Sequence, residues 1–500
     1  MLKDRPALVL DRLGQFLTGS IDEILQDHID SNPQAAVLRH FRDVANRVPA
    51  YRRFLAEHGV DVAEIADFAA FQTLPLVTKP NYMLAYPLPE RCRDGRLAGC
   101  DRLAVSSGST GIPTFWPRSM THELEVALRF EQVFRHSFRT HERETLAVVC
   151  FPLGNWVGGI FTASCCWHLA NKGYPLTVAT PGNQPAEILR VVRELAPHFR
   201  QTVLLGYPPF VKDVIDTGLA EGLDWKRHNI KMVFAGEVFS EEWRQLMAER
   251  VGAARPCHDF ASLYGTADGG VLGNETPVSI AIRRFLADRP EAARELFGES
   301  RLPTLVQYDP ISRFFELADD TLVVSGDGGV PLVRYHIADR GGLRCYREMM
   351  AFVCDWGVDL TAYGLDRADV PLELPFVWVF GRADFTVSFY GANVFPENVV
   401  VGLEQSDTKQ WVTGKFVMEV RNDADGAEYL QFIVELAPAA TGTDQLESLV
   451  ASSIANQLRR LNSEFANYVP VAKQVPRIEL RPFGDPEHFP RGVKHRYTRK

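Results

Sequence analysis

Nowhere in the 500 residues is there an uncharged apolar run of the roughly 18–20 residues that a membrane span requires, so the sequence predicts no membrane partner. The N-terminus, MLKDRPALVLDRLGQFL, scatters charges through its apolar stretch and lacks the core and small-residue cleavage site of a signal peptide. Cysteine is sparse: the chain holds eight, with Cys165 and Cys166 adjacent, the others scattered and no CxxC pair. That excludes a disulfide scaffold and predicts reduced core cysteines in a cytoplasmic protein. Positive charge is not in excess either. Lys and Arg number 54 against 63 Asp and Glu, a net charge of -9, which gives no electrostatic reason to expect nucleic acid or an anionic membrane. An anionic ligand must therefore be held by local donors. Internal repeats, low-complexity tracts and a strand followed by GxGxxG are all missing, which argues against solenoids, disordered chains and a hydride-transferring dehydrogenase.

What is present is a chain too long for one hydrophobic core, with 46% hydrophobic and 23% charged residues. Short apolar runs alternate with helical patterns over most of the first 380 residues. LAVVCFPL (146–153), YPLTVAT (174–180) and QTVLLGY (201–207) read as buried strands, and PAEILRVVRELAPHF (185–199) reads as a helix. KMVFAGE (231–237) is a strand ending at Gly236, after which Ser240 stands as a helix N-cap. Glu241 and Glu242 fill the first turn, and Gly252 suits the far cap. Repeated units of this kind predict an α/β fold with a largely parallel sheet and ligands at the carboxyl ends of its strands. Near residue 380 the pattern changes. VWVFGRADFTVSFYGANVFPENV (377–399) carries turn signals at Gly381 and at 391–393. Strands KFVMEV (415–420) and EYLQFIVEL (428–436) follow, then a helix around 443–463. The prediction is a large unit over 1–380 and a small α+β unit over 381–500.

The most informative stretch is SSGSTGIPT (106–114): two glycines that allow a tight turn, with hydroxyls and backbone N–H groups that can donate to phosphate oxygens. No GK[ST] follows, so it is not the P-loop of nucleotide triphosphatases. It resembles the SSG[ST]TGxPT phosphate loop of adenylate-forming enzymes, and within them it is most similar to the phenylacetate–CoA ligase branch, which includes coenzyme F390 synthetase-like proteins. NRVPAYRRFLAEHGV (46–60), LPLVTK (74–79), FAGEVFSEEWR (234–244), LYGTAD (263–268), RYHIADRG (334–341) and GRADFTVSFYGANVFPENV (381–399) resemble further segments of that branch, in its order.

The resemblance implies a large multi-layer N-terminal domain closed by a small mobile C-terminal one. It also implies ATP-dependent activation of a carboxylic acid as its acyl-adenylate, with transfer to coenzyme A. Residues are assigned by the same likeness. Ser107, Gly108, Ser109, Thr110 and Gly111 would hold the β- and γ-phosphates, and Asp268 would hold Mg²⁺. Gly236, Glu237, Tyr264, Gly265 and Thr266 would lie around adenine, with Tyr264 stacking on it. Asp339 would accept from the ribose hydroxyls with Arg382 nearby, Lys494 would neutralise the α-phosphate and the acid, and Asp384 would be the hinge. FPLGNWVGGIFTA (151–163) resembles the wall of the branch's carboxylate site, so Trp156, Phe161, Tyr207 and Phe210 are candidates to sandwich an aromatic acid.

Each assignment has a plainer counterpart. Tyr264 and the four aromatics could be core, Asp268 a turn acid, Asp339 with Arg382 a surface ion pair, and the tail FPRGVKHRYTRK (489–500) solvated charge, with Lys500 as an alternative to Lys494. Two motifs depart from the family. It usually has Glu, preceded by Ser or Thr, where this chain has Asp268 after Ala267, and its tail is nearer GKxxR than GVKHR. The zinc site that some branch members carry is not expected, because 269–282 contains neither Cys nor His. The departures leave two other outcomes open: transfer of the acyl group to a carrier protein or an amine, and a non-catalytic nucleotide- or acyl-binding protein. The acid and the oligomeric state, a homodimer included, are not fixed by the sequence.

Overall fold

A computed structural model describes residues 5–105, 114–155, 157–299, 301–369, 371–381, 387–390, 392–423, 428–490, 495 and 497–498. Its centre is an 11-stranded sheet. One half is built by strand–helix units. Leu176–Ala179, Thr145–Val149, Gln201–Gly206, Ile230–Ala235 and Phe260–Thr266 run parallel, in that spatial order. The three inner strands, Thr145–Val149, Gln201–Gly206 and Ile230–Ala235, are almost wholly buried, as strands covered by helices on both faces must be. Alternate residues feed two separate cores: Leu146, Leu204 and Met232 on one face, Ala147, Val203 and Val233 on the other.

The other half corrects the expectation of a largely parallel sheet. Gly270–Asn274, Thr304–Gln307, Phe376–Gly381, Leu332–Arg344, Thr321–Gly326 and Arg313–Ala318 continue the sheet with antiparallel pairing throughout. The reason lies in the connections. Three of them, after 266, 318 and 326, span only a few residues, enough for a hairpin turn and far too short for the crossover that parallel neighbours need.

The predicted unit at 231–252 forms as read. Ile230–Ala235 is a strand, Ser240 Oγ accepts from the Trp243 N–H at 3.0 Å, the helix is Glu241–Val251, and Gly252 takes φ +70°. The same helix carries a buried ion network. Arg244, 1% exposed, donates to both oxygens of Glu241 and, at 2.6 Å, to Glu275, and Glu275 also accepts from the Ser262 N–H at 2.8 Å. It ties the helix to the strand that follows it in the sheet.

After 387 the chain builds a second core of its own. The hairpin Val387–Phe389/Ala392–Val394, the antiparallel strands Val412–Asn422 and Glu428–Leu436, and Arg477–Arg481 parallel to the latter pack with the helices Pro396–Leu403 and Asp444–Leu461. Phe389, Val399, Phe416, Phe432, Val450 and Ile454 fill the space between them. Both strands and the long helix read from the sequence are present.

Removing one partner of a buried ion network strands the others. Arg244→Ala is therefore expected to lower stability by about 3–5 kcal/mol in urea unfolding. Arg190→Ala, which breaks only exposed pairs with Glu187 and Glu194, should leave the unfolding midpoint where it is.

Candidate functional site

The site grows from the point where the parallel half of the sheet turns into the antiparallel half. Strand Phe260–Thr266 folds back through a tight turn into Gly270–Asn274, and this hairpin carries Tyr264 to Asp268. The turn requires its glycines. Gly270 takes φ +72°, and a Cβ on Gly265 would lie 2.7 Å from the Gly270 carbonyl. The Gly269 N–H closes the turn on Thr266 Oγ1 at 2.9 Å. Asp268 receives a hydrogen bond from the Tyr335 hydroxyl. Beside it, Tyr264 donates its hydroxyl to Asp339 Oδ2 at 2.8 Å, with both residues buried.

The loop after strand Ile230–Ala235 forms the adjoining wall. Gly236 has φ +85°, and a Cβ there would meet the Tyr207 ring at 2.8 Å. Glu237 follows, and the Tyr497 hydroxyl donates to it at 3.2 Å. Burial and the Glu237 carboxylate push the Tyr497 phenol well up, so it stays a donor. These residues line a cleft of about 350 Å³. Gly236, Glu237, Tyr264–Asp268 and Asp339 stand on one side, with Phe395, Glu397, His495 and Tyr497 of the C-terminal region on the other. Hydrogen bonds cross between the two regions elsewhere too: Ser240 with Glu404, Lys415 with Asp213, and Lys409 with Glu249 at 3.1 Å.

Seven of the sequence-assigned residues thus converge: Gly236, Glu237, Tyr264, Gly265, Thr266, Asp268 and Asp339. The phosphate loop (Ser107, Gly108, Ser109, Thr110, Gly111), Trp156, Arg382, Asp384 and Lys494 lie outside the described residues. The two strands on either side of that loop, Arg102–Val105 and Phe115–Arg118, pair antiparallel with Val105 opposite Phe115. The remaining aromatic candidates do not line the cleft. Phe161 packs under the Arg118 guanidinium at 5.4 Å, and Tyr207 meets Phe151 edge-on at 4.9 Å, both on one face of the sheet. Phe210 packs into the core on the opposite face, so the structure does not bring it together with them.

Lys79 and Arg301 are among the cleft residues that escaped assignment. Lys79 arrives because Val77 bridges strand Leu332–Arg344: its N–H donates to the Arg334 carbonyl at 3.0 Å and its carbonyl accepts from the His336 N–H at 2.8 Å. The LPLVTK resemblance was its only signal. Arg301, 5% exposed, lies 3.7 Å over the Phe395 ring and 4.5 Å over Phe380, and donates to Glu397 at 3.2 Å. It also donates to the neighbouring Glu299 at 2.9 Å, but the partners that place it at the cleft are 79 to 96 residues away, so nothing local in the sequence marks that role.

The chemistry of this donor set suits a nucleotide with Mg²⁺. Mg²⁺ takes hard oxygens and is ordinarily held by one or two carboxylates together with phosphates and water, and Asp268 presents a carboxylate at the cleft. Among the described residues no group of three or more His, Cys, Asp or Glu side chains is placed to hold a metal by protein ligands alone.

His495 adds a pH dependence. Burial pushes its pKa down from 6.5 to about 4, so the ring is neutral at pH 7. Its Nε2 lies 2.7 Å from the Phe416 carbonyl, which can only accept, so Nε2 carries the proton. The folded state favours the neutral ring. Stability present above about pH 6.5 is therefore lost as the pH falls toward about 4. Between pH 7 and 4.5 the thermal unfolding midpoint should fall less in His495→Gln than in the parent, because the amide keeps the donor and does not titrate.

No family model and no curated protein matches the sequence. Solved structures do match. 2-Hydroxyisobutyryl-CoA ligase in its postadenylation state, in complex with R3-HIB-AMP, has a TM-score of 0.65 at 13% identity over 94% of this chain and 88% of that one. The same ligase in an open conformation with 2-HIB-AMP and CoA gives 0.52 at 14% identity, over 93% and 91% of the two chains. In its thioesterification state it gives 0.51 at 14%, over 97% and 91%. Likeness at this level of identity speaks for architecture, not chemistry. The chain shares the fold of this CoA ligase, a large N-terminal α/β region with a smaller C-terminal one.

Proposed function

We propose that this chain is an ATP-dependent carboxylate ligase, which joins a small carboxylic acid to AMP, releases pyrophosphate and passes the acyl group to coenzyme A as a thioester. The observation that carries the reading is the meeting of Glu237, Tyr264, Asp268 and Asp339 at one cleft. They come from three segments that each resemble a nucleotide-binding motif of adenylate-forming enzymes, and the shared fold supports the assignment.

On this reading the Tyr264 ring stacks on adenine, and Asp339 accepts from the ribose hydroxyls with Arg382 beside it. Loop 106–114 donates to the β- and γ-phosphates. A carboxylate oxygen of the acid attacks the α-phosphorus as the bond to pyrophosphate breaks, and the protein's part is positioning and charge neutralisation. Asp268 would hold Mg²⁺, which supplies positive charge against the phosphate oxygens. Lys494 offsets the charge gathering between acid and α-phosphate. His495 and Tyr497, one and three residues beyond it, line the cleft, which supports a role for the tail. Residues 381–500 act as the mobile unit, turning at Asp384. The acid is aromatic, with Trp156, Phe161 and Tyr207 as its neighbours, a reading supported by the shared face of the latter two. A cytoplasmic place, where ATP and coenzyme A are at hand, goes with this activity. The absence of a hydroxyl at Ala267 and the shortened acid at Asp268 favour a second reading, in which the acceptor is a carrier protein or an amine.

Carboxylate-dependent ATP–pyrophosphate exchange, run over benzoic, phenylacetic, hydroxylated aryl and fatty acids, tests the reading. One acid class should support exchange, and Lys494→Ala should lower kcat by about 100-fold or more. Asp339→Ala, which removes an acceptor of charge-assisted hydrogen bonds, should raise the KM for ATP by about 10–100-fold. With an active acid, formation of the CoA thioester, against transfer only to a carrier or an amine, separates the two acceptors. A folded protein that binds no ATP would sink both.

A further inference from the structure

We propose that Arg118 and Arg313 clamp the hairpin that presents Asp268, and that Arg118 is a positioning residue that sets this hairpin relative to the strand leaving loop 106–113. The inference rests on the reading of Asp268 as the acid beside the nucleotide phosphates.

The turn that carries Asp268 is built from small residues, Ala267, Gly269 and Gly270. Such a segment has little side-chain packing of its own, and each backbone residue left unfixed retains about 1–2 kcal/mol of conformational entropy. Fixing it requires contacts from outside, and these come to both sides of Asp268. Arg118 Nη2 donates to the Ala267 carbonyl at 2.6 Å, and Arg313 Nε donates to the Gly269 carbonyl at 3.2 Å. Both arginines are 5% exposed. The Tyr335 hydroxyl meets the carboxylate itself. Backbone before, backbone after and side chain are each held by a different element.

Arg118 is costly for a residue whose only role is packing. It is buried, its Nε has no hydrogen-bond partner, and among the described residues it makes no ion pair. An unsatisfied buried donor costs about 1–3 kcal/mol, which an apolar residue of the same size would avoid. Arg313 differs in having Glu125 at 3.8 Å and the Ser312 carbonyl at 2.6 Å. What Arg118 gains is a link. It closes strand Phe115–Arg118, which starts two residues after loop 106–113, and its hydrogen bond joins that strand to the hairpin 149 residues further along. Phe161, under the guanidinium at 5.4 Å, fixes the fork from below. In a reaction catalysed by positioning, the placement of the metal-holding acid is the quantity such a link controls.

The test uses the full chain with ATP, Mn²⁺ as the metal probe, and Arg118→Met, Arg118→Lys and Arg313→Lys variants. Calorimetry gives ATP affinity without metal, electron paramagnetic resonance gives Mn²⁺ affinity of the enzyme–ATP complex, and thermal unfolding reports the fold. We expect Arg118→Met to bind metal-free ATP within about 3-fold of the parent while Mn²⁺ affinity falls about 10-fold. Exchange kcat should fall about 100-fold with the KM for the acid little changed, the cost of a displacement near 1 Å. Arg118→Lys, which can still reach one carbonyl, should recover at least 10-fold of that kcat. If Arg118→Met fails to fold, Arg118→Lys and Arg313→Lys carry the test, each with Mn²⁺ affinity and kcat below the parent. Parental Mn²⁺ affinity and kcat in folded variants would overturn the clamp. So would losses that track only the unfolding midpoint. A parent that binds no ATP instead overturns the adenylation reading on which the clamp depends.

Discussion

The hydrogen bond between Tyr264 and Asp339 is the constraint around which the rest is arranged. Their strands are not neighbours: Gly270–Asn274, Thr304–Gln307 and Phe376–Gly381 lie between them in the sheet. Four interstrand steps of about 4.8 Å would hold the two backbones about 19 Å apart in a flat sheet, beyond the combined reach of a tyrosine and an aspartate. The observed 2.8 Å therefore demands that the antiparallel half curl over on itself. Register shifts between Tyr264 and Gly265 and between Arg340 and Gly341, with Ala338 at φ +64°, provide the bends where they are needed. The cleft is the concave side of that curl.

Closure from the other side relies on a different kind of contact. The core of the C-terminal region is separate from those of the large sheet, and hydrogen bonds, ion pairs and a charge–aromatic contact cross between them. Arg301 is buried between Phe380 and Phe395 and bonded to Glu397, while Lys415 faces Asp213 and Glu435. Burial pushes Asp213 up to about 6 even with Lys415 beside it. Such pairs give register without welding the two regions into one apolar core. Removing either partner leaves a buried charge, so they specify one arrangement more than they deepen its stability.

The parts of the site that were legible in the sequence were those whose reasons are local. Gly236 is required by positive φ within its own turn, Ser240 by the first turn of its own helix, and the strand–helix alternation before 260 by period and capping. The antiparallel half was missed because strand direction is set by the connections, three of which are turns of a few residues, and not by the pattern within each strand. Arg301 and Arg118 were missed because an isolated arginine carries no pattern, and its role is set by rings and carbonyls far away in the chain. The aromatic wall was half legible. The family resemblance grouped Phe161, Tyr207 and Phe210, but which face each takes follows from helix and strand phase.

The sequence by itself determined the elements, the order of the motifs and the type of chemistry each could support, because capping, turn geometry and residue type act over a few neighbouring residues. Only the tertiary structure decided which of them meet. The curl that brings Tyr264 to Asp339, the strand bridge that delivers Lys79, and the two arginines behind Asp268 arise from pairings across 44 to 258 residues. Their geometry is fixed by how an eleven-stranded sheet twists and which buried donors must find acceptors, and no local pattern encodes either.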